Sequence, residues 1–292
     1  MKYYYLFPLL SSWFYVAGVM FIKQCSARGV GIWRITFVSN LVSAVMYVPL
    51  VFVPGDWPSL ARLWEPALAA CLFIGGQAFT FIALQKGDVS VATPVLGLKP
   101  VIVALFVVGI LGDEIRPALW AAAGMSAAGV AMLNARGQSG RHHHVLSTIV
   151  LSLLAGSCFS LFDVLVQKFS GTWEIQRFLP AMFGFVSVFS LAFVRWFTGP
   201  LRGIRPEAWK PLGWGSFFLG LQGLVFISTV AVYGDATALN IIFSSRGLWS
   251  VVAVWWLGHW FGNTERDAGG RVLGLRLAGA LVMLAAIALV LV

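Results

Sequence analysis

The sequence predicts an all-α integral membrane protein with about ten transmembrane helices arranged as two inverted five-helix repeats. Three observations predict it. First, 59% of the 292 residues are hydrophobic and only 11% are charged, against roughly 25% charged in a soluble domain. Second, apolar runs long enough to cross a hydrocarbon core of about 30 Å as helices recur along the whole chain. The period-2 alternation of a membrane barrel is absent. Third, a motif is duplicated. Gly87-Asp88 is followed by Ser90 and, eleven residues after the aspartate, by Lys99; Gly234-Asp235 is followed by Thr237 and, at the same distance, by Arg246.

In chain order the expected spans are 3–22, 32–53, 66–85, 89–111 and 117–134, then 146–167, 178–197, 212–233, 237–260 and 272–292. Span 1 opens with a basic residue and an apolar run, as a signal peptide does. No small-residue cleavage site follows and further spans do, so it reads as a retained helix. Span 4 carries Pro94, Gly97 and Pro100, which loosen a helix; span 9 carries Ser244, Ser245 and Gly247 instead. Spans 5 and 10 contain the small-residue runs AAAGMSAAG and LAGALVMLAA, which let helices approach closely and suit a helix contact or a homodimer face. The longest polar break in the middle, NARGQSGRHHH, divides residues 1–134 from residues 146–292, with 135–145 as the connecting loop. Five spans per half is an odd number, so homologous halves must face opposite ways.

The duplicated motif falls between spans 3 and 4 and again between spans 8 and 9. At about 1.5 Å per residue, Lys99 and Arg246 lie roughly 16 Å beyond their aspartates, near the bilayer midplane. The same count puts Gln77 of span 3 and Gln222 of span 8 at similar depth. Lys99, Arg246, Gln77 and Gln222 are therefore the candidate substrate-binding residues. A central cation costs about 2.5–3.5 kcal/mol on insertion scales and marks a wet cavity or a partner. Two readings stay open: contact with a substrate path, or internal pairing with Asp163 or with backbone carbonyls. Asp88 and Asp235 read as N-caps after a turn, with ion coupling as the alternative. Arg34 and Arg276 sit near span ends, where they can snorkel.

Several classes are excluded or unsupported. The net charge of +9 comes from single basic residues in short loops, the usual topogenic signal, so nucleic acid is not a partner. Cys25, Cys71 and Cys158 are dispersed, with neither disulfide nor zinc spacing. His142-His143-His144 lies in the central loop as a solvated stretch. No nucleophile–base pair, metal cluster or phosphate loop is visible, so no catalytic residue, metal or cofactor is assigned.

The residues resemble the drug/metabolite transporter superfamily, its EamA-like ten-span branch. WFYVAGVMFIKQ (13–24), ending on Lys23, resembles the first-span pattern, and Arg34 matches the arginine that opens the second span. GDVSVATPVLGLKPVIVALFVVGILGDEI (87–115) resembles the span-4 signature, with Glu114 as the acidic residue after the span. AAAGMSAAGVAML (121–133) resembles the glycine-rich fifth span. The second half fits more loosely, with Ile241 and Gly247 where the span-4-type proline would stand. The resemblance implies a basket of helices around a central cavity, alternating access, and export or exchange of a small metabolite across a bacterial inner membrane. It also implies basic residues of spans 4 and 9 on an anionic group, which tilts the substrate towards an organic anion or zwitterion. Its partners are then a small-molecule substrate, the lipid bilayer, and a coupling proton or counter-substrate. A cationic drug or amino-acid exporter and a non-transporting scaffold or sensor with paired charges are the rival readings. Loop Lys and Arg concentrate on the side away from the termini, which favours external termini; the family resemblance favours internal ones.

Overall fold

The computed structural model describes residues 2–86, 89–133, 145–257 and 270–291, and within these each expected span is largely helical. The helices are α1 (Leu6–Ala27), α2 (Ile32–Tyr47), α3 (Trp64–Lys86), α4 (Val89–Leu96), α5 (Lys99–Phe106) and α6 (Pro117–Leu133). They continue as α7 (Val145–Ser170), α8 (Ile175–Ser190), α9 (Pro206–Tyr233), α10 (Ala236–Phe243), α11 (Arg246–Leu257) and α12 (Gly270–Leu291). Span 4 is the pair α4 and α5, and span 9 is the pair α10 and α11. No strand occurs among the described residues. Eight stretches are long and apolar enough to cross a bilayer. The other two of the ten are the 17-residue α6 and the broken span 9. Gly87-Asp88 and the connecting loop with its three histidines lie outside the described residues.

An all-helical architecture is what lipid demands, because a helix satisfies its backbone hydrogen bonds within one segment. The outer surface is correspondingly apolar: Val45, Leu146, Leu277 and Leu281 are all more than 60% exposed. In water such a surface would drive association; in a bilayer it faces acyl chains. Inside, Tyr47 stacks on Phe183 at 4.1 Å, and Phe178, Leu179 and Met182 are fully buried.

The packing exchanges between the halves. α1 packs on α9, and their counterparts α7 and α3 pack on each other. α2 also packs on α9, and α8 on α3. The span-4 helices pack on α7, and the span-9 helices on α1. The small-residue runs meet within the chain, where α6 lies along α12. A Cβ on Gly279 would stand 2.8 Å from Met132 Cβ and 2.9 Å from Leu133 N, so glycine permits this approach.

The same exchange holds for two buried arginines. Arg34, the third residue of α2, donates to Gly29 O at 3.2 Å, Thr198 Oγ1 at 3.1 Å and Pro200 O at 3.5 Å. Arg177, the third residue of α8, donates to Val51 O at 2.6 Å and Gly55 O at 2.7 Å. Each ties the start of its helix to the loop that leaves the counterpart helix in the other half. Arg34 does not snorkel as expected. It is buried, because carbonyl acceptors within the protein satisfy its guanidinium better than a reach towards headgroups.

Candidate substrate cavity

Spans 4 and 9 break at matching points. α4 and α10 are each eight residues long, and each is followed by a two-residue turn. The first residue after the turn is Lys99 in one case and Arg246 in the other. The causes of the breaks differ. Pro100 has no N–H to offer to the preceding turn, and its ring opposes a continuous helix. Gly97 and Leu98 close the gap with short-range bonds to Thr93 O, Pro94 O and Val95 O. Gly97 also sits where a Cβ would lie 2.6 Å from Val130 Cγ1 of α6. Span 9 has no proline. There Ser244 Oγ bonds back to Asn240 O at 2.9 Å, a geometry that bends helices, and Ser245 Oγ is 3.3 Å from Ser12 Oγ of α1.

Beside the breaks lies a cavity of about 440 Å³. Four cations line it: Lys23, Lys99, Arg246 and Arg276. Thr80, Thr93, Asn240, Ser244 and Ser250 add neutral polar groups, and Val16, Met20, Leu96, Val130 and Val251 supply apolar wall. No carboxylate is among the described lining residues. Arg276 thus faces the cavity, where the sequence placed it among snorkelling span-end residues. It lies several residues inside α12, on the side turned to span 9, so the inner polar surface is nearer than the interface.

The two midplane cations are held differently. Lys99 Nζ pairs with Asp163 Oδ2 of α7 at 2.7 Å, and Asn240 Nδ2 donates to the same oxygen at 2.8 Å. The Phe159 and Phe226 rings flank the ammonium at 5.9 and 5.8 Å. Arg246 makes no ion pair among the described residues. Its guanidinium lies over the Tyr15 and Phe243 rings at 4.6 Å each, a cation–π setting that holds the charge without neutralising it. Both cations also open a half-helix, whose N-terminus carries partial positive charge.

The two glutamines are elsewhere. Gln77 exchanges two hydrogen bonds of 3.0 Å with the Asn40 side chain of α2, and neither Gln77 nor Gln222 lines the cavity. Gln222 contributes its backbone carbonyl to Ser11 Oγ at 3.0 Å. Depth was read from residue count, and residue count does not set the direction a helical side chain faces. Trp13 and Trp249 pack edge to face at 5.3 Å, away from the cavity wall.

Asp235 is not the N-cap the sequence suggested. It makes no capping bond with its own side chain. Gln167 Oε1 accepts from Ala236 N instead, at 3.0 Å. The Asp235 carboxylate accepts from Tyr5 Oη at 3.0 Å, Tyr4 Oη at 3.2 Å and Lys2 Nζ at 3.4 Å. Tyr4 stacks on Tyr233 at 4.2 Å. This cluster joins the start of span 1 to the start of span 9 on the face that carries the termini. A second recess of about 440 Å³, lined by Asp113, Arg116, Gln167 and Thr237 among others, lies beside it. Asp88, the counterpart of Asp235, is outside the described residues.

A multi-pass helical protein whose two broken spans meet at an internal polar cavity has the build of a membrane transporter. Residues 2–135 match the model of the EamA-like transporter family. A solved structure titled only "Crystal structure of protein" is similar in fold, with a TM-score of 0.72 at 16% identity, over 97% of this chain and 95% of that one. No curated protein matches the chain by sequence.

Proposed function

We propose that the protein is a secondary transporter of a small organic anion or zwitterion, working as an exporter or exchanger in a bacterial inner membrane. The observation that carries this reading is Arg246: a guanidinium at a helix break with no ion-pair partner among the described residues, in a cavity whose described lining holds four cations and no carboxylate. A half-buried cation without a counter-ion inside a membrane is costly, and an anionic substrate group supplies the missing partner. Half-helix N-termini pointing at the anionic group are a common transporter arrangement.

The mechanism follows from the exchanged packing. Residues 1–134 and 146–292 act as two repeats joined by the loop 135–145, and they rock about the site where Lys99 and Arg246 converge. The Lys2–Tyr4–Tyr5–Asp235 cluster is the gate closed on the terminal face, while the main cavity serves the other face. One observation favours the rival scaffold reading, and only for Lys99: its charge is already met by Asp163. No such pairing holds Arg246 among the described residues.

A thermal-shift panel of carboxylates, phosphorylated metabolites, amino acids and lipophilic cations tests this on purified protein and on Arg246→Gln. A ligand at 100 times its dissociation constant adds about 2.7 kcal/mol of stability. Stabilisation by an anion that Arg246→Gln removes is the expected result. Stabilisation by cations alone, or by anions equally in the variant, would move the site elsewhere.

A further inference from the structure

Asp163 stands out as a buried carboxylate that an anion transporter should avoid. It lies on α7 behind the cavity wall, with its side chain 3% exposed. Two donors converge on its Oδ2: the Lys99 ammonium at 2.7 Å and the Asn240 amide at 2.8 Å. The Asn240 amide is held in place by a second bond, to Ala236 O at 2.9 Å. One donor thus comes from each broken span, Lys99 at the break of span 4 and Asn240 on the first half-helix of span 9. Asp163 therefore occupies the cation that the substrate's anionic group needs.

We infer that Asp163 is a proton-accepting counter-ion, so that the transported anion and one proton share the site. This rests on the anion reading above. A substrate carboxylate or sulfonate reaching Lys99 must displace Asp163 from it. The displaced carboxylate would keep its charge in a buried setting with only Asn240 as donor, which is strongly unfavourable. Taking one proton from the water of the cavity removes that cost. The balance is simple. The Lys99–Asp163 ion pair breaks, an O–H bond forms on Asp163, and Lys99 pairs with the substrate anion. On release the anion leaves, the proton returns to water, and the internal pair reforms. One negative and one positive charge move together, so the step is electroneutral.

The surroundings of Asp163 fit this role. Span 4 brings Lys99, and span 9 brings neutral Asn240 and, six residues on across the break, Arg246, which lines the cavity with Lys99 and Asn240. From α3, α8 and α9 no charged side chain bonds to Asp163 among the described residues. Ser160 Oγ donates to Lys99 O at 3.3 Å, which fixes the backbone of the break while leaving the ammonium free to change partner.

The test uses benzenesulfonate, which stays ionised throughout, and benzoate as a second probe. Binding is followed calorimetrically between about pH 6 and pH 9 on wild type, Asp163→Asn and Arg246→Gln. If one proton enters with the anion, the dissociation constant rises by up to about tenfold per pH unit through the range where Asp163 must take it up. In Asp163→Asn the constant is expected to be tight and flat with pH, because the neutral amide no longer holds Lys99. Wild-type binding that is flat with pH, or an Asp163→Asn protein that folds but no longer binds, would overturn the inference while leaving the anion site standing. No binding of either probe at any pH, with Arg246→Gln indistinguishable from wild type, would overturn both. Should Asp163→Asn fail to fold, the wild-type pH series decides alone.

Discussion

The two broken spans reach one geometry by different chemistry. Span 4 breaks at a proline and sets a lysine against a buried aspartate. Span 9 breaks at two serines and sets an arginine against two aromatic rings. What the halves share is the position of a cation at the first residue of the second half-helix. The counter-ion is not shared: Lys99 pairs with Asp163, and Arg246 has no ion-pair partner among the described residues. The two breaks thus present an asymmetric site, which under the proposed function leaves one cation for an anion and frees the other on exchange.

The largest effect should come from unbalancing the neutralised side. Lys99→Gln leaves Asp163 buried with one neutral donor and is expected to cost about 3–5 kcal/mol. Thermal unfolding in detergent measures it, and the double variant Lys99→Gln with Asp163→Asn should recover most of the loss. A double variant as unstable as the single one would show that the pair is not what binds these spans together.

Next come the paired arginines. Removing Arg34 or Arg177 takes away a buried guanidinium and the two or three hydrogen bonds it donates to loop carbonyls and a hydroxyl, each charged bond being worth about 1.5–3 kcal/mol. Similar losses for Arg34→Ala and Arg177→Ala would confirm that the halves use equivalent locks. A loss in only one would break the comparison at that level. Ser244→Ala removes a single back-bond at the span-9 break, and a shift of no more than about 1 kcal/mol in unfolding is expected. The smallest change in stability should accompany Arg246→Gln, since no ion pair is lost. Its effect is functional: the anion-induced thermal shift disappears.

Much of this was legible in the sequence. The ten helices follow from apolar runs, and the matching cations follow from a charge repeated at one depth in two apolar segments. Pro100 announced the first break. The second was less visible, because serines bend a helix only when their hydroxyls turn back to the backbone. Gln77 was placed by residue count alone, and it faces Asn40, since counting residues says nothing of azimuth. Asp235 looked like a cap because the tyrosines that claim it stand some 230 residues away in sequence. Arg177 escaped notice although it holds the same third-residue place in its helix as Arg34. Comparing span openings between halves would have found it.

The most direct test of the central claim is water access to the two breaks. Cysteines placed singly at Ser250 and Thr93, which line the cavity, and at buried Thr237 near the closed gate, would be challenged with a membrane-impermeant thiol reagent in a background lacking the three native cysteines. The account predicts rapid labelling at Ser250 and Thr93 from the face away from the termini, protection of both by a bound anion, and slow labelling at Thr237 that Tyr5→Phe accelerates. No labelling at Ser250 or Thr93 from either face would contradict it, leaving the two cations as internal structure and the cavity dry.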